Sequence, residues 1–228
     1  MNPRKSAIII GVLFITATAS YMLGNGYLEP ILTDPDFLDN VSTNQNQVWM
    51  GMMLELVNCV AVVAISFALY PILKKHNDTL AKGYIGFRVL ESLIVIIGSI
   101  SVLSLLSLSQ EYVGSGIMDA SYYLARGAEI LARRDMTVLF GVNLVFPVDA
   151  LILNYLLFKS KLVPRWISGL GIIGALLMYV RVAGFVAGFW EIFGTNQIAI
   201  LALPIWIQEM IFAAWLIIKG FESSQISY

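Results

Sequence analysis

Ten polar residues interrupt otherwise apolar stretches of this chain: Glu55 and Asn58, Arg88 and Glu91, Asn143, Asp149 and Asn154, Arg181, and Gln208 and Glu209. Carboxylates in an apolar setting can do acid–base work or take a cation, and an arginine among them can pair with an acid. Glu55 and Asn58 are three residues apart, as are Arg88 and Glu91, so on a helix each pair shares a face. A charge near the centre of a bilayer costs about 2.5–3.5 kcal/mol on insertion scales, so such a residue faces a bundle interior, pairs, or serves function. Arg181 can be set against Glu55 or Glu209, and Arg88 against Glu91. Four acids then meet two bases. At least two carboxylates must be protonated, hydrated or matched by a cation from outside.

Each of these residues also has a purely structural reading. Asn58, Asn143 and Asn154 fit interhelical glue, worth about 0.6 kcal/mol each. Arg88 with Glu91 fits an intrahelical pair toward the cytoplasmic side, and depth favours function for Asp149, Glu209 and Arg181. Pro147 lies two residues before Asp149 and Pro204 four before Gln208. A proline frees a carbonyl one turn earlier and kinks a helix. Broken backbone beside a buried acid is how many transporters build sites at mid-membrane. The candidate ligand-binding set is therefore Glu55, Asn58, Asp149, Arg181, Gln208 and Glu209, with Arg88 and Glu91 as a secondary pair.

The elements that must position these side chains follow from composition. The 228 residues are 58% hydrophobic and 13% charged, with a mean hydropathy of +0.80. A soluble domain carries about a quarter charged residues. The net charge of −1 excludes a nucleic-acid-binding domain, which needs a basic excess. Six apolar runs are long enough to cross a bilayer as helices: Ser6–Tyr27, Val48–Leu73, Gly83–Leu108, Met136–Phe158, Pro164–Phe189 and Ile198–Gly220. None alternates with period two, which excludes barrel strands. The expected fold is an all-α, six-span bundle forming one integral membrane domain over residues 1–228. An external interfacial helix, Met118–Arg134, lying on the outer leaflet or on the bundle, is expected before span four, because Leu124, Ala128 and Leu131 recur at helical spacing; a longer soluble helical loop is the alternative.

Lys and Arg placement sets the orientation. Arg4 and Lys5, then Lys74, Lys75 and Lys82, then Lys159, Lys161 and Arg165, and Lys219 all fall on one side. The other side has Arg126, Arg133 and Arg134 against Glu29, Asp34, Asp36, Asp39, Glu111, Asp119, Glu129, Asp135 and Glu191. A multi-pass cell-membrane protein with both termini cytoplasmic is expected. Arg4 and Lys5 followed by Ala7–Ile15 and Ala17-Thr18-Ala19 also fit a cleavable signal, which would leave five spans. The apolar run continues through Tyr21, Met22 and Leu23, which suits a retained span. Trp190, Trp166 and Tyr155 read as interface anchors, and Gly184 with Gly188 as a GxxxG contact within or between subunits.

Other chemistry finds no motif. The single Cys59 excludes an intramolecular disulfide, and the single His76 sits beside Lys74 and Lys75 with no HExxH pair. There is no GxSxG, phosphate-binding glycine loop or catalytic His–Cys pair. Lys219 lies at a span end, which does not support a retinal Schiff base. No cofactor and no catalytic residue is assigned.

The stretches NQNQVWMGMMLEL (Asn44–Leu56), LYPILKKHNDTLAKGYIGFRVLE (Leu69–Glu91), LSLSQEY (Leu106–Tyr112), KLVPRWIS (Lys161–Ser168) and ALPIWIQEMIFAAWLIIKG (Ala202–Gly220) resemble the bacterial integral membrane family called domain of unknown function 4386. The resemblance runs from the first span to Phe221 and implies a compact multi-span bundle of this length. It implies no activity, substrate or cofactor. Three functions remain open: binding or translocating a small ligand, ion or lipid at the polar interior; an intramembrane enzyme acting on a lipid or quinone-like substrate; and a structural or regulatory subunit. Beyond the bilayer, the partners considered are such a ligand and a second copy of the chain.

The basic asymmetry generates a test. Reporters fused after Lys75, Lys161 and Phe221 are expected to behave as cytoplasmic, and those within Asp34–Thr43 and Gly114–Ala120 as external. An external signal from the Lys161 fusion would remove the six-span arrangement.

Overall fold

Runs such as Val60–Val63 and Ile94–Ile97 are rich in β-branched residues, which weaken helices in water. In lipid every backbone N–H and C=O must be satisfied within the segment, so the same runs are held helical. The computed structural model describes residues 3–114, 120–187 and 200–222. They form α1 (Pro3–Leu32), α2 (Phe37–Thr43), α3 (Gln45–Leu73), α4 (Asp78–Gly114), α5 (Ala120–Val138), a π-helical segment (Leu139–Val145), α6 (Phe146–Ser160), α7 (Arg165–Val186) and α8 (Leu203–Ile218). Five stretches are long and apolar enough to cross a membrane: α1, α3, α4, Ala120–Ser160, and Arg165–Gly184 in α7; α8 is shorter but apolar. The protein is a multi-pass helical membrane protein.

The connections gather at two ends. Arg4 donates to the carbonyls of Ile217 at 2.7 Å and Ile218 at 2.9 Å, which places the start of α1 against the end of α8. A cation there satisfies carbonyls that have no partner within the helix and meets the negative end of its dipole. The Glu222 N–H reaches the Leu162 carbonyl at 2.9 Å. Ala7, Leu73, Ala81, Leu162, Val163 and Phe221 share one buried core. The α3–α4 and α6–α7 links therefore lie at the same end as both of these termini. Two left-handed residues make the tight exits there, Lys161 (φ 58°) and Gly220 (φ 82°). At the opposite end α2 packs on Leu28, Val48, Leu105 and Ile130, and Ser109 donates to the Leu38 carbonyl.

Two close helix crossings depend on missing side chains. Gly24 meets the Gly51 carbonyl where α1 crosses α3, and a Cβ on Gly174 would stand 2.7 Å from the Ile205 backbone nitrogen. Small residues allow this approach between membrane helices.

Three expectations are revised. The segment read as a separate interfacial helix is the first part of a continuous helical stretch, Ala120–Ser160. No proline interrupts it before Pro147, and its Gly127, Ile130 and Arg134 face is buried. At about 1.5 Å per residue the stretch is about 60 Å long, twice the hydrocarbon core. Pro204 lies in the first turn of α8 rather than inside a helix, where its missing N–H costs no helical bond. Helix α4 begins at Asp78, five residues before the expected span, because the Asn77 side chain accepts the Leu80 N–H at 2.9 Å and caps it. The expected roles of Trp190, Gly188 and Glu191, the span ends at Phe189 and Ile198, and the start of the interfacial helix at Met118 lie outside the described residues.

Replacing Gly174 with leucine is expected to separate α7 from α8, since the new side chain meets backbone that cannot rotate away. The loss should be about 1–3 kcal/mol in detergent unfolding, the scale of overpacking. Stability equal to that of the parent protein would show that this crossing is not tight.

Candidate functional site

On α4, Tyr84, Arg88, Glu91 and Ser92 follow at spacings of four, three and one, which puts them on one face, and all four are buried. The Arg88 guanidinium is the centre of the site. Its Nη1 lies 3.1 Å from Glu91 Oε2, its Nε 3.1 Å from Asp149 Oδ1 on α6, and its Nη2 3.7 Å from Glu209 Oε1 on α8. The guanidinium carbon stands 5.5 Å from the ring centre of Tyr84 and 5.3 Å from that of Phe146, both cation–π contacts. Arg88 Nε also donates to Tyr84 Oη at 3.3 Å.

Asp149 comes to this point through an irregular backbone. The π-helical segment ends at Val145, and Pro147 follows in the first turn of α6. Proline lacks an N–H, so a carbonyl one turn earlier loses its helical donor. Side chains repair the region: Asn143 donates to the Val138 carbonyl at 3.2 Å, and Tyr179 on α7 donates to the Leu144 carbonyl at 3.1 Å. Asp149 itself is fully buried. Neither of its oxygens receives a hydrogen bond among the described residues, although Arg88 is within ion-pair distance. The Glu91 carboxyl lies within hydrogen-bonding reach of it.

A cavity of about 50 Å³ adjoins the cluster, with Thr18, Tyr21, Asn58, Arg88, Glu91 and Glu209 on its polar wall. A water needs roughly 10–15 Å³ of such volume, so a few waters or a small ion fit. Met22, on the rim, is 55% exposed. The Glu209 side chain retains 14% exposure against none for Asp149, which makes Glu209 the more accessible acid. Thr18 donates to Glu209 Oε2 at 3.4 Å.

A second charged pair lies between α3 and α5. Arg134 Nη2 meets Glu55 Oε1 at 2.6 Å, both buried, and Ser99 donates to Glu55 Oε2 at 2.5 Å. Gly98 provides the space: a Cβ there would strike the Thr137 side chain and come within 3.9 Å of Arg134 Nη1. Tyr21 stands between the two charged groups. It lines the cavity, and its hydroxyl bonds Asn25 in the field of Glu55, Arg134 and Arg181.

The sequence-derived set is thus divided. Arg88, Glu91, Asp149 and Glu209 come together, with Asn58 on the cavity wall. Asn58 also donates to the Ala17 carbonyl at 2.9 Å. Gln208 donates to Asn154 at 3.0 Å, a bond between α8 and α6 of the interhelical kind. The pairing expected for Arg181 is revised. Its Nη1 donates to Asn143 Oδ1 at 2.8 Å, while Glu55 is taken by Arg134 and Glu209 lies against Arg88. Arg134, Tyr84, Phe146, Thr18 and Ser99 were not foreseen. For Arg134 the signal was present: it lies four residues after Ile130 and seven after Gly127, on the buried face of α5, and the acid surplus called for another base. His76 stays apart in the α3–α4 link. Partial burial, and then the neighbouring Lys75, push its imidazole down from its usual value, so it is uncharged at neutral pH.

Apolar helices of spanning length around a buried arginine and its acids define a multi-pass membrane protein with a charged interior. The chain belongs to the family described as Domain of unknown function (DUF4386), whose model matches residues 9–220 and so covers every residue of the site. No curated protein and no solved structure matches it.

Glu55→Leu and Arg134→Leu are each expected to destabilise the protein by about 3–5 kcal/mol, because each leaves a buried charge without its partner. The double variant should recover most of that loss in detergent unfolding. Strictly additive losses would show that the two residues do not act as a pair.

Proposed function

We propose that this is a cell-membrane protein with six spans and both termini cytoplasmic, and that it binds or translocates a small ligand or ion at the Arg88 centre. The carrying observation is the union of three carboxylates, one arginine and a cavity at one level of the bundle. A structural pair needs one acid per base, and Arg88 has three. The small cavity favours an ion or a solute of a few atoms over a lipid chain. The level is also right for such a role. Arg88 lies ten residues into α4 and Glu209 nine residues before the end of α8. At about 1.5 Å per residue, both stand about 15 Å from the end that holds the termini, the middle of a core about 30 Å thick. Six spans agree with Arg4 meeting the end of α8 and with the basic links at that same end.

The test is thermal unfolding in detergent at fixed pH against a panel of monovalent and divalent chlorides, small organic cations and small acids. One chemical class is expected to raise the melting temperature with concentration, as binding to the folded state requires. Glu209→Gln should abolish that rise while leaving the protein folded. If no solute shifts either protein, the centre binds none of these solutes and this reading of the cavity falls.

A further inference from the structure

Among the described residues, Asp149 is fully buried and neither oxygen is reached by a hydrogen bond. Its nearest polar neighbours explain why. Arg88 Nε, 3.1 Å away, directs its hydrogen to Tyr84 Oη. The other neighbour is Glu91, whose carboxyl oxygens accept a hydrogen bond from Arg88 Nη1 and have no hydrogen of their own when ionised. Two carboxyl oxygens within bonding reach attract one another only when one of them carries a proton. Two ionised carboxylates in contact inside an apolar bundle cannot persist together.

We propose that the Glu91–Asp149 pair holds one shared proton, so that the small ion taken at this centre is H⁺. The proposal rests on the binding site put forward above and names its occupant. Glu91 belongs both to the pair and to the cavity wall, whereas Asp149 does not line the cavity. The proton therefore enters and leaves by way of Glu91. On release, the carboxyl O–H bond breaks, the proton passes to a cavity water, and both electrons stay on the carboxylate oxygen. Glu209, across the guanidinium and on the same wall, is the acid that receives it from that water. Arg88 remains charged throughout and holds whichever carboxylates are ionised. The groups facing the pair are Cys59 from α3, Tyr84 and Arg88 from α4, Tyr179 from α7 and Glu209 from α8. A divalent metal would need its ligands to converge on a point, and here that point is filled by the guanidinium.

Infrared spectroscopy of the purified protein reads the proton directly, because a protonated carboxyl has a C=O stretch separate from the carboxylate bands. The wild type is expected to show this band near pH 6, shifted in D2O and fading as pH rises. Either Glu91→Gln or Asp149→Asn should remove it, since the remaining acid then has no second carboxyl to share the proton with and lies against Arg88 beside Glu209 only. Glu91→Asp should retain it. Glu209→Gln should keep the band and slow its shift after transfer to D2O at least several-fold. A wild-type protein without the band from about pH 5 to pH 9 overturns the proposal, whether or not the variants fold. So does a band that survives in both Glu91→Gln and Asp149→Asn. A band with the expected behaviour in a protein whose melting no solute shifts makes the proton the occupant. Solute-dependent melting without the band keeps the binding site and removes the proton.

Discussion

A guanidinium inside a membrane bundle has to be neutralised there, and the arrangement of this protein follows from how Arg88 is. Its planar fork offers five N–H donors in fixed directions. Glu91 comes from its own helix, Asp149 from α6 and Glu209 from α8, so three helices are held to one cation. Tyr84 and Phe146 close its two faces. Desolvation of such a group costs several kcal/mol even after relaxation. A single acid would be enough to offset the charge. The two further carboxylates increase the cost instead of lowering it, and a bundle selected only for stability would not keep them.

The second charged pair shows what a structural solution looks like in the same protein. Glu55 has one arginine and one serine hydroxyl, and it does not line the cavity beside Arg88. One base meets one acid, hydrogen bonds satisfy the carboxylate, and a glycine at position 98 admits the side chain. This pair draws α5 against α3 and α4, which is why the stretch before span four packs into the bundle. The contrast with Arg88 separates the two roles more clearly than burial does, since all the residues concerned are buried.

Most of the fold could be read from the chain. Five of the expected spans correspond to helices long and apolar enough to cross a membrane and the last to a shorter apolar helix, and the clustering of both described termini with the basic links agrees with the lysine and arginine pattern. Polar residues within spans were also visible, because each is costly and must be explained. Their partners were not. Periodicity tells which face of a helix a residue occupies but not which neighbour that face meets, so Arg181 was matched with Glu55 or Glu209, whereas its guanidinium donates to Asn143. Arg134 was missed for a related reason. It follows Arg133 and precedes Asp135 in a charged run, and only the helical spacing from Gly127 and Ile130 distinguishes the buried arginine from its exposed neighbour. Pro204 misled because a proline at a helix start and one inside a helix look alike until the start is known.

The irregular backbone before Asp149 ties the two charged levels together. Asn143 has two tasks: its amide donates to the Val138 carbonyl in the π-helical segment, and its oxygen accepts from Arg181 on α7. Pro147 and Asp149 follow within six residues. A π turn departs from the regular helical ladder, and here side chains supply part of its hydrogen bonding. The backbone before Asp149 is therefore joined through Asn143 to Arg181 on α7. On the side of the termini the apolar core is large and closely packed, with Ile10, Leu69, Leu73 and Leu157 fully buried. The polar centre thus stands on a closely packed base, and the irregular backbone before Asp149 lies on the side away from the termini.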